Sequence, residues 1–254
     1  MELPLDARWL EAVMLASVRM AAFVVIAPPF SYRAFPARVK AMIAVGLGLA
    51  VAPRVTAGYA GGSDAAFFGA IVTELVTGAA LGFLVYVVFA AAQSAGGLID
   101  LFGGFQLALG FDPQSMVQGA QFSRLFHMTA LALLMASGAY LVVFAGLFRS
   151  FDAVPLGAGL DAGATAAGVA DAVGQLLLAA AQVAGPLIVV LFLADAGLGL
   201  LTRVAPALNA FALGFPLKIL VTLALAGTVL VALPALVDAL AGRALDAMRQ
   251  VTRP

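Results

Sequence analysis

RVAPALNAFALGFPLKI, residues 203–219, stands between two long apolar runs, and its reading decides how the chain folds. Pro206 lacks a backbone N–H, and Pro216 is expected to break or kink any helix that runs through it. Arg203, Asn209 and Lys218 are expensive to leave facing lipid. A polar, Pro- and Asn-broken stretch this short predicts a sharp turn between two helices, with its polar groups held by partners.

The runs on either side belong to a set of six apolar stretches, residues 9–30, 39–52, 67–92, 125–148, 173–201 and 211–240. They are too long, or too rich in Ala and Leu, for strands. Of the 254 residues 64% are hydrophobic and 10% charged, whereas about a quarter of a soluble domain is charged. The expected fold class is all-α: membrane-associated helical hairpins, about six long apolar segments with broken helices. The second stretch is too short to cross a bilayer alone, since the clean run between Lys40 and Pro53 falls well below the roughly twenty residues a span requires. The acidic N-terminus and the lack of a small-residue cleavage pattern argue against a cleaved signal peptide, so the first segment is expected to stay in the mature protein.

Thirteen acidic and thirteen basic residues give zero net charge. No basic surface follows a phosphate backbone, which argues against nucleic acid as a partner. With no cysteine there is no disulfide, thiolate metal site or Cys nucleophile. Neither a Ser/His/Asp set, a paired-carboxylate site, an H-E-x-x-H motif nor a P-loop occurs, so no catalysis, metal or cofactor is expected. His127, the single histidine, reads as a packed side chain. Basic residues divide almost evenly between the two sides, Arg33, Arg38, Lys40, Arg124 and Arg203 against Arg8, Arg149, Arg243, Arg249 and Arg253, so the positive-inside rule sets no orientation. Assembly with other subunits is then expected to guide insertion.

Four charges fall inside apolar segments: Arg19, Glu74, Asp195 and Lys218. Such groups face protein or a water-filled cavity. They are read as buried charges that pair with one another or with backbone carbonyls, against the sharper alternative of a path for protons or substrate. Glu74, Gly78 and Gly82 share one helical face, where glycines permit close backbone approach. Two connections stand out. Residues 154–171 read as a solvated loop with room for short helical turns, whereas residues 93–124 are too apolar for a free loop and too Gly-rich for a stable helix. Irregular apolar backbone at membrane depth must be buried in protein or line a cavity. This second segment is therefore either a packed loop or a gate.

AGGLIDLFGGFQLALGFDP at 95–113, a following Leu/Met-rich helix, and GLGLLTRVAPALNAFALGFPLKI at 197–219 together resemble the FliR family of the flagellar type III export gate. RMAAFVVIAPPF at 19–30, FPARVKAMIAVGLGLAVAP at 35–53 and ELVTGAALGF at 74–83 resemble the same family, in the same order. The resemblance implies a single-copy structural and pore-forming subunit joining FliP-like and FliQ-like subunits in a hetero-oligomeric export gate. It implies a FlhB-like neighbour, contact with membrane lipid, and exported flagellar proteins in transit. The place implied is the bacterial inner membrane and the flagellar basal body, largely above the usual bilayer plane. Residues 1–172 would form a FliP-like portion and residues 173–254 a FliQ-like hairpin, whose turn and subunit interface would include Arg203, Pro206, Asn209 and Pro216. The family's pore plug maps onto Gly103, Gly104, Phe105, Leu107, Leu109, Phe111, Asp112 and Pro113, with fewer aromatics than related proteins carry. Two rival readings are the equivalent subunit of a virulence-type injectisome and a stand-alone secondary transporter. No internal repeat of the kind transporters show is present.

Overall fold

The computed structural model describes residues 7–32, 35–105, 121–205 and 210–253, without the side chains of 210–213. Among the described residues seven helices follow one another: α1 Ala7–Ile26, α2 Ala37–Val55, α3 Asp64–Phe102, α4 Gln121–Ala136, α5 Tyr140–Ala153, α6 Ala162–Val204 and α7 Ala210–Thr252. α1, α3, α6 and most of α7 are long and apolar enough to cross a membrane. α4 and α5 do so only as a pair, bent by 73°. α2 falls short because every stretch of it long enough to span contains Arg38, Lys40 and Arg54.

The helices depart from the sequence-based expectations at four places. Residues 93–102 are not irregular: α3 runs through Gly96 and Gly97 to Phe102, because the missing side chains make room for a neighbour. The run 125–148 is not continuous, since it breaks at residues 137–139, where Gly138 has φ +77° and Ser137 Oγ accepts the Ala139 N–H. Residues 162–171 belong to a continuous helix, beyond the short helical turns expected of this connection. Asp161 Oδ1 caps them by accepting the Ala164 N–H at 2.6 Å, and the Ala-rich run that follows favours helix. Pro216 does not end a helix: α7 passes through it and through Pro234.

The chain divides into two compact units. The first runs from the N-terminus to Val88 and adds Leu134–Val173 and Asp238 onward. Here α1 packs against α2 and α3. A Cβ on Gly48 would strike Ser17, one on Gly78 the Arg19 carbonyl and Ala22, and one on Gly82 the Phe23 backbone. This is the glycine face expected of Glu74, Gly78 and Gly82. α5 adds Phe144, whose ring meets Phe23, Phe30 and Tyr140.

The second unit comprises Phe89–Leu133 and Gly174–Val237. Its core holds Ile99, Phe122, Phe126, Leu187, Leu191 and Leu233. Within it α6 and α7 lie antiparallel, with Asp195 meeting Lys218 and Leu198 meeting Gly214. Their connection lies at the expected turn, although Pro206 and Asn209 are outside the described residues. Gly96 lies so close to the Phe122 carbonyl that a Cβ would overlap it, whereas Gly97 faces open space. Gly97→Ala is therefore expected to hold or raise thermal stability in detergent by up to about 1 kcal/mol, while Gly96→Ala lowers it. Equal effects at the two positions would show that the α3–α4 approach does not depend on Gly96.

Candidate functional site

Arg19 and Glu74 are each 0% exposed. The glycines of α3 bring α1 close enough for the pair to meet, and both charges are satisfied completely. Arg19 Nε and Nη2 donate to Glu74 Oε2 at 2.5 Å and Oε1 at 2.9 Å in a two-pronged contact. Nη2 also donates to the Val154 carbonyl at 3.0 Å, and Nη1 to the carbonyl and Oγ of Ser150 at 3.2 and 3.3 Å. All five guanidinium N–H groups are thereby engaged. Phe151 lies with its ring 4.2 Å from the guanidinium carbon, a cation–π contact that covers one face. Glu74 Oε1 takes a third bond from the Gly157 N–H at 2.8 Å. Gly157 has φ +81° and sits against Ala70, a conformation open chiefly to glycine.

The other two intramembrane charges pair differently. Lys218 Nζ lies 2.7 Å from Asp195 Oδ2, but the Asp195 side chain is 48% exposed and that of Lys218 23%. Both were expected to face protein or a water-filled cavity, Asp195 at a subunit interface; within this chain Lys218 is partly buried and Asp195 is exposed. Arg203 is exposed in the last turn of α6, and Pro216 is exposed within α7 instead of in the turn.

Of the plug residues expected from the resemblance, Gly103, Gly104 and Phe105 are described; Leu107, Leu109, Phe111, Asp112 and Pro113 lie outside the described residues. The Gly103 N–H bonds Ile99 O and the Phe105 N–H bonds Asp100 O, so α3 closes in a tight turn with Gly104 at φ +81°. Gly103 leaves room for the Thr222 hydroxyl, which a Cβ would approach to 2.8 Å. Phe105 packs edge-on against Phe122, with ring centroids 5.2 Å apart.

Asp100 was not singled out in the sequence. It is fully buried, and its two oxygens accept the N–H groups of Phe122 and Ser123, each at 2.9 Å. It thus caps the first turn of α4, where donors lack helical partners and negative charge is favoured. Its place in the apolar LIDLF run carried the same signal that picked out Glu74. Ser150, Phe151 and Gly157 gave no such signal, because their parts depend on the fold of the α5–α6 connection.

Among the described residues no group of three or more His, Cys, Asp or Glu side chains could hold a metal ion. The first unit offers helices tied together by a buried charge pair, and the second a glycine-bounded turn at the end of α3. Residues 10–244 match the family described as bacterial export proteins, family 1. The chain belongs to that family. It is 32% identical to the flagellar biosynthetic protein FliR of Escherichia coli (strain K12) over 223 residues, covering 85% of this chain and 83% of that protein. With FliR of Bacillus subtilis (strain 168) the identity is 28% over 214 residues, 83% of each chain. With the Yop proteins translocation protein T of Yersinia pestis it is 32% over 147 residues, 57% of this chain and 56% of that protein.

Removing one partner of a buried pair strands the other charge. Arg19→Met and Glu74→Leu are each expected to cost about 3–5 kcal/mol, and the double substitution less than either alone. Thermal denaturation of the detergent-purified chain checks this double-mutant cycle. Additive losses would mean that the two residues act independently.

Proposed function

We propose that this export-family chain is a subunit of a type III protein-export apparatus, specifically the FliR-type subunit of the flagellar export gate in the bacterial inner membrane. The observation that carries the reading is the similarity to flagellar FliR proteins along most of both chains. The similarity to the Yop translocation protein extends over little more than half the chain, which favours the flagellar system over the injectisome.

In this reading one copy joins FliP-like and FliQ-like subunits around a protein-conducting pore at the basal body, next to a FlhB-like subunit. Residues 1–172 form the FliP-like portion and 173–254 the FliQ-like hairpin. The segment from Gly103 to Pro113 closes the pore at rest and moves aside for unfolded flagellar proteins. Three features support it. Only 17% of the most apolar stretch of α7 and 28% of that of α6 are buried within the chain, so other subunits or lipid must cover them. α6 and α7, at 43 residues each, are about 65 Å long, twice the roughly 30 Å of a hydrocarbon core. The turn at Gly103–Phe105 is held by the Ile99 and Asp100 carbonyls and by Phe122, a base at which a closing segment can begin. The export energy comes from other subunits, and the chain itself carries out no catalysis.

Co-expression with the neighbouring FliP- and FliQ-like genes, followed by native mass spectrometry, is expected to give a hetero-oligomer with one copy of this chain. A chain that stays alone or forms only homo-oligomers when those partners are present would favour a transporter. Deleting residues 104–111 is expected to leave that assembly intact and make the membrane leak ions; a tight membrane would remove the plug from the proposal.

A further inference from the structure

A pocket of about 380 Å³ opens between α2 and α5, lined by Ala50, Val51, Arg54, Ala145, Phe148 and Arg149. It lies within the first compact unit and shares no residue with the Arg19 network or the turn at Gly103. Val51 is buried and Phe148 half-buried, while both arginines are exposed. The pocket therefore has an apolar wall and two positive charges at its rim.

Neither charge is neutralised by the fold. Arg54 Nη1 stands 3.9 Å from Asp152 Oδ2, a loose contact between side chains 61% and 62% exposed. Such a pair contributes little. Arg149 makes no hydrogen bond or ion pair among the described residues. Two guanidinium groups on one pocket repel each other unless an anion lies between them, and their planar forks match phosphate oxygens.

The height of the pocket follows from the helix register. Ser17 of α1 meets Gly48 of α2. Arg54 lies six residues further along α2, about 9 Å towards the start of α1. At that end the Tyr59 hydroxyl bonds Glu11 at 3.2 Å and Gly61 sits beside Arg8. Polar and charged groups gather there and apolar residues dominate beyond, as they do where a spanning helix leaves the hydrocarbon. α2 does not span by itself but packs on α1, which is long and apolar enough to do so; a basic pocket beside such a helix at this depth suits an anionic lipid headgroup, with arginine stems lying along the apolar wall.

We propose that this pocket binds an anionic phospholipid, its phosphate held by Arg54 and Arg149 and an acyl chain covering Val51, Ala145 and Phe148. A soluble phosphate would use the two arginines alone and leave the apolar wall uncovered. The inference rests on the membrane-length, apolar character of α1, against which α2 packs, and not on which export system the chain serves.

The test is native mass spectrometry of the full chain, purified in mild detergent and supplied with equal amounts of phosphatidylglycerol and phosphatidylcholine. The wild type is expected to retain phosphatidylglycerol preferentially. Arg54→Gln/Arg149→Gln is expected to cut that preference about thirtyfold, from the contribution of two basic residues at a lipid surface. Arg54→Lys/Arg149→Lys keeps most of it, and Arg243→Gln, on α7 and not in the pocket lining, leaves it unchanged. Glycerol phosphate, which has the anion without the acyl chain, does not displace the lipid. A wild type without headgroup preference, a glutamine double variant that keeps it, or displacement by glycerol phosphate at equal concentration would each overturn the proposal. An unchanged thermal transition in the glutamine variant shows that any loss is not one of folding.

Discussion

A buried guanidinium needs an acceptor for each of five N–H groups, and the first compact unit is arranged around that demand. Glu74 answers two donors, and the remaining three go to Ser150 and Val154. Both residues lie at the C-terminal end of α5, where the Ser150 carbonyl already accepts the Val154 N–H, the Val154 carbonyl lies past the helix, and a cation is favoured. The glycines of α3 set the approach of α1, and the turn at Gly157 completes the hydration that Glu74 left behind in water. Each part has little use without the others. That is the usual condition for a charge pair to remain inside a protein when an apolar pair of equal volume would pack there at less expense.

The second unit solves the opposite problem. Asp100 lies at the N-terminus of α4, where free N–H groups and the positive end of the helix dipole suit a carboxylate. A cation at one helix end and an anion at another let two buried charges stabilise helix termini that would otherwise stand unsatisfied in an apolar setting. The exposed pair of Asp195 and Lys218 belongs to a different class. It sits on a surface that the chain does not cover by itself, which agrees with α6 and α7 needing neighbours.

The helical class, the weakness of α2 as a span and the glycine face of Glu74 were legible because composition and 3.6-residue spacing report them directly. Arg19 and Glu74 were legible as buried charges for the same reason, and their pairing with each other was one of several open options. The continuation of α3 through Gly96 and Gly97 was not legible. Two glycines in isolation argue against helix, and only the position of the Phe122 backbone explains why they are tolerated. The helix after Asp161 and the passage of α7 through Pro216 were missed on similar grounds: local propensity gave way to a cap and to the remaining helical hydrogen bonds. The acceptors at Ser150, Val154 and Gly157 are distant in sequence from Arg19, and no local pattern announces them. Most of the segment expected to close a pore lies outside the described residues, and its part is argued from resemblance.

The sequence separation of the Arg19 contacts also fixes a schedule. Glu74 follows Arg19 by 55 residues, and the Val154 carbonyl follows by 135. At bacterial synthesis rates of up to about 20 residues per second, roughly seven seconds or more pass between the emergence of Arg19 and that of its last acceptor. Throughout that interval α1 carries a charge that lipid does not solvate. Settling across the bilayer costs α1 more while Arg19 is unpaired than after α3 and then α5 arrive. Of these three helices the earliest made is thus the last to have its contacts completed.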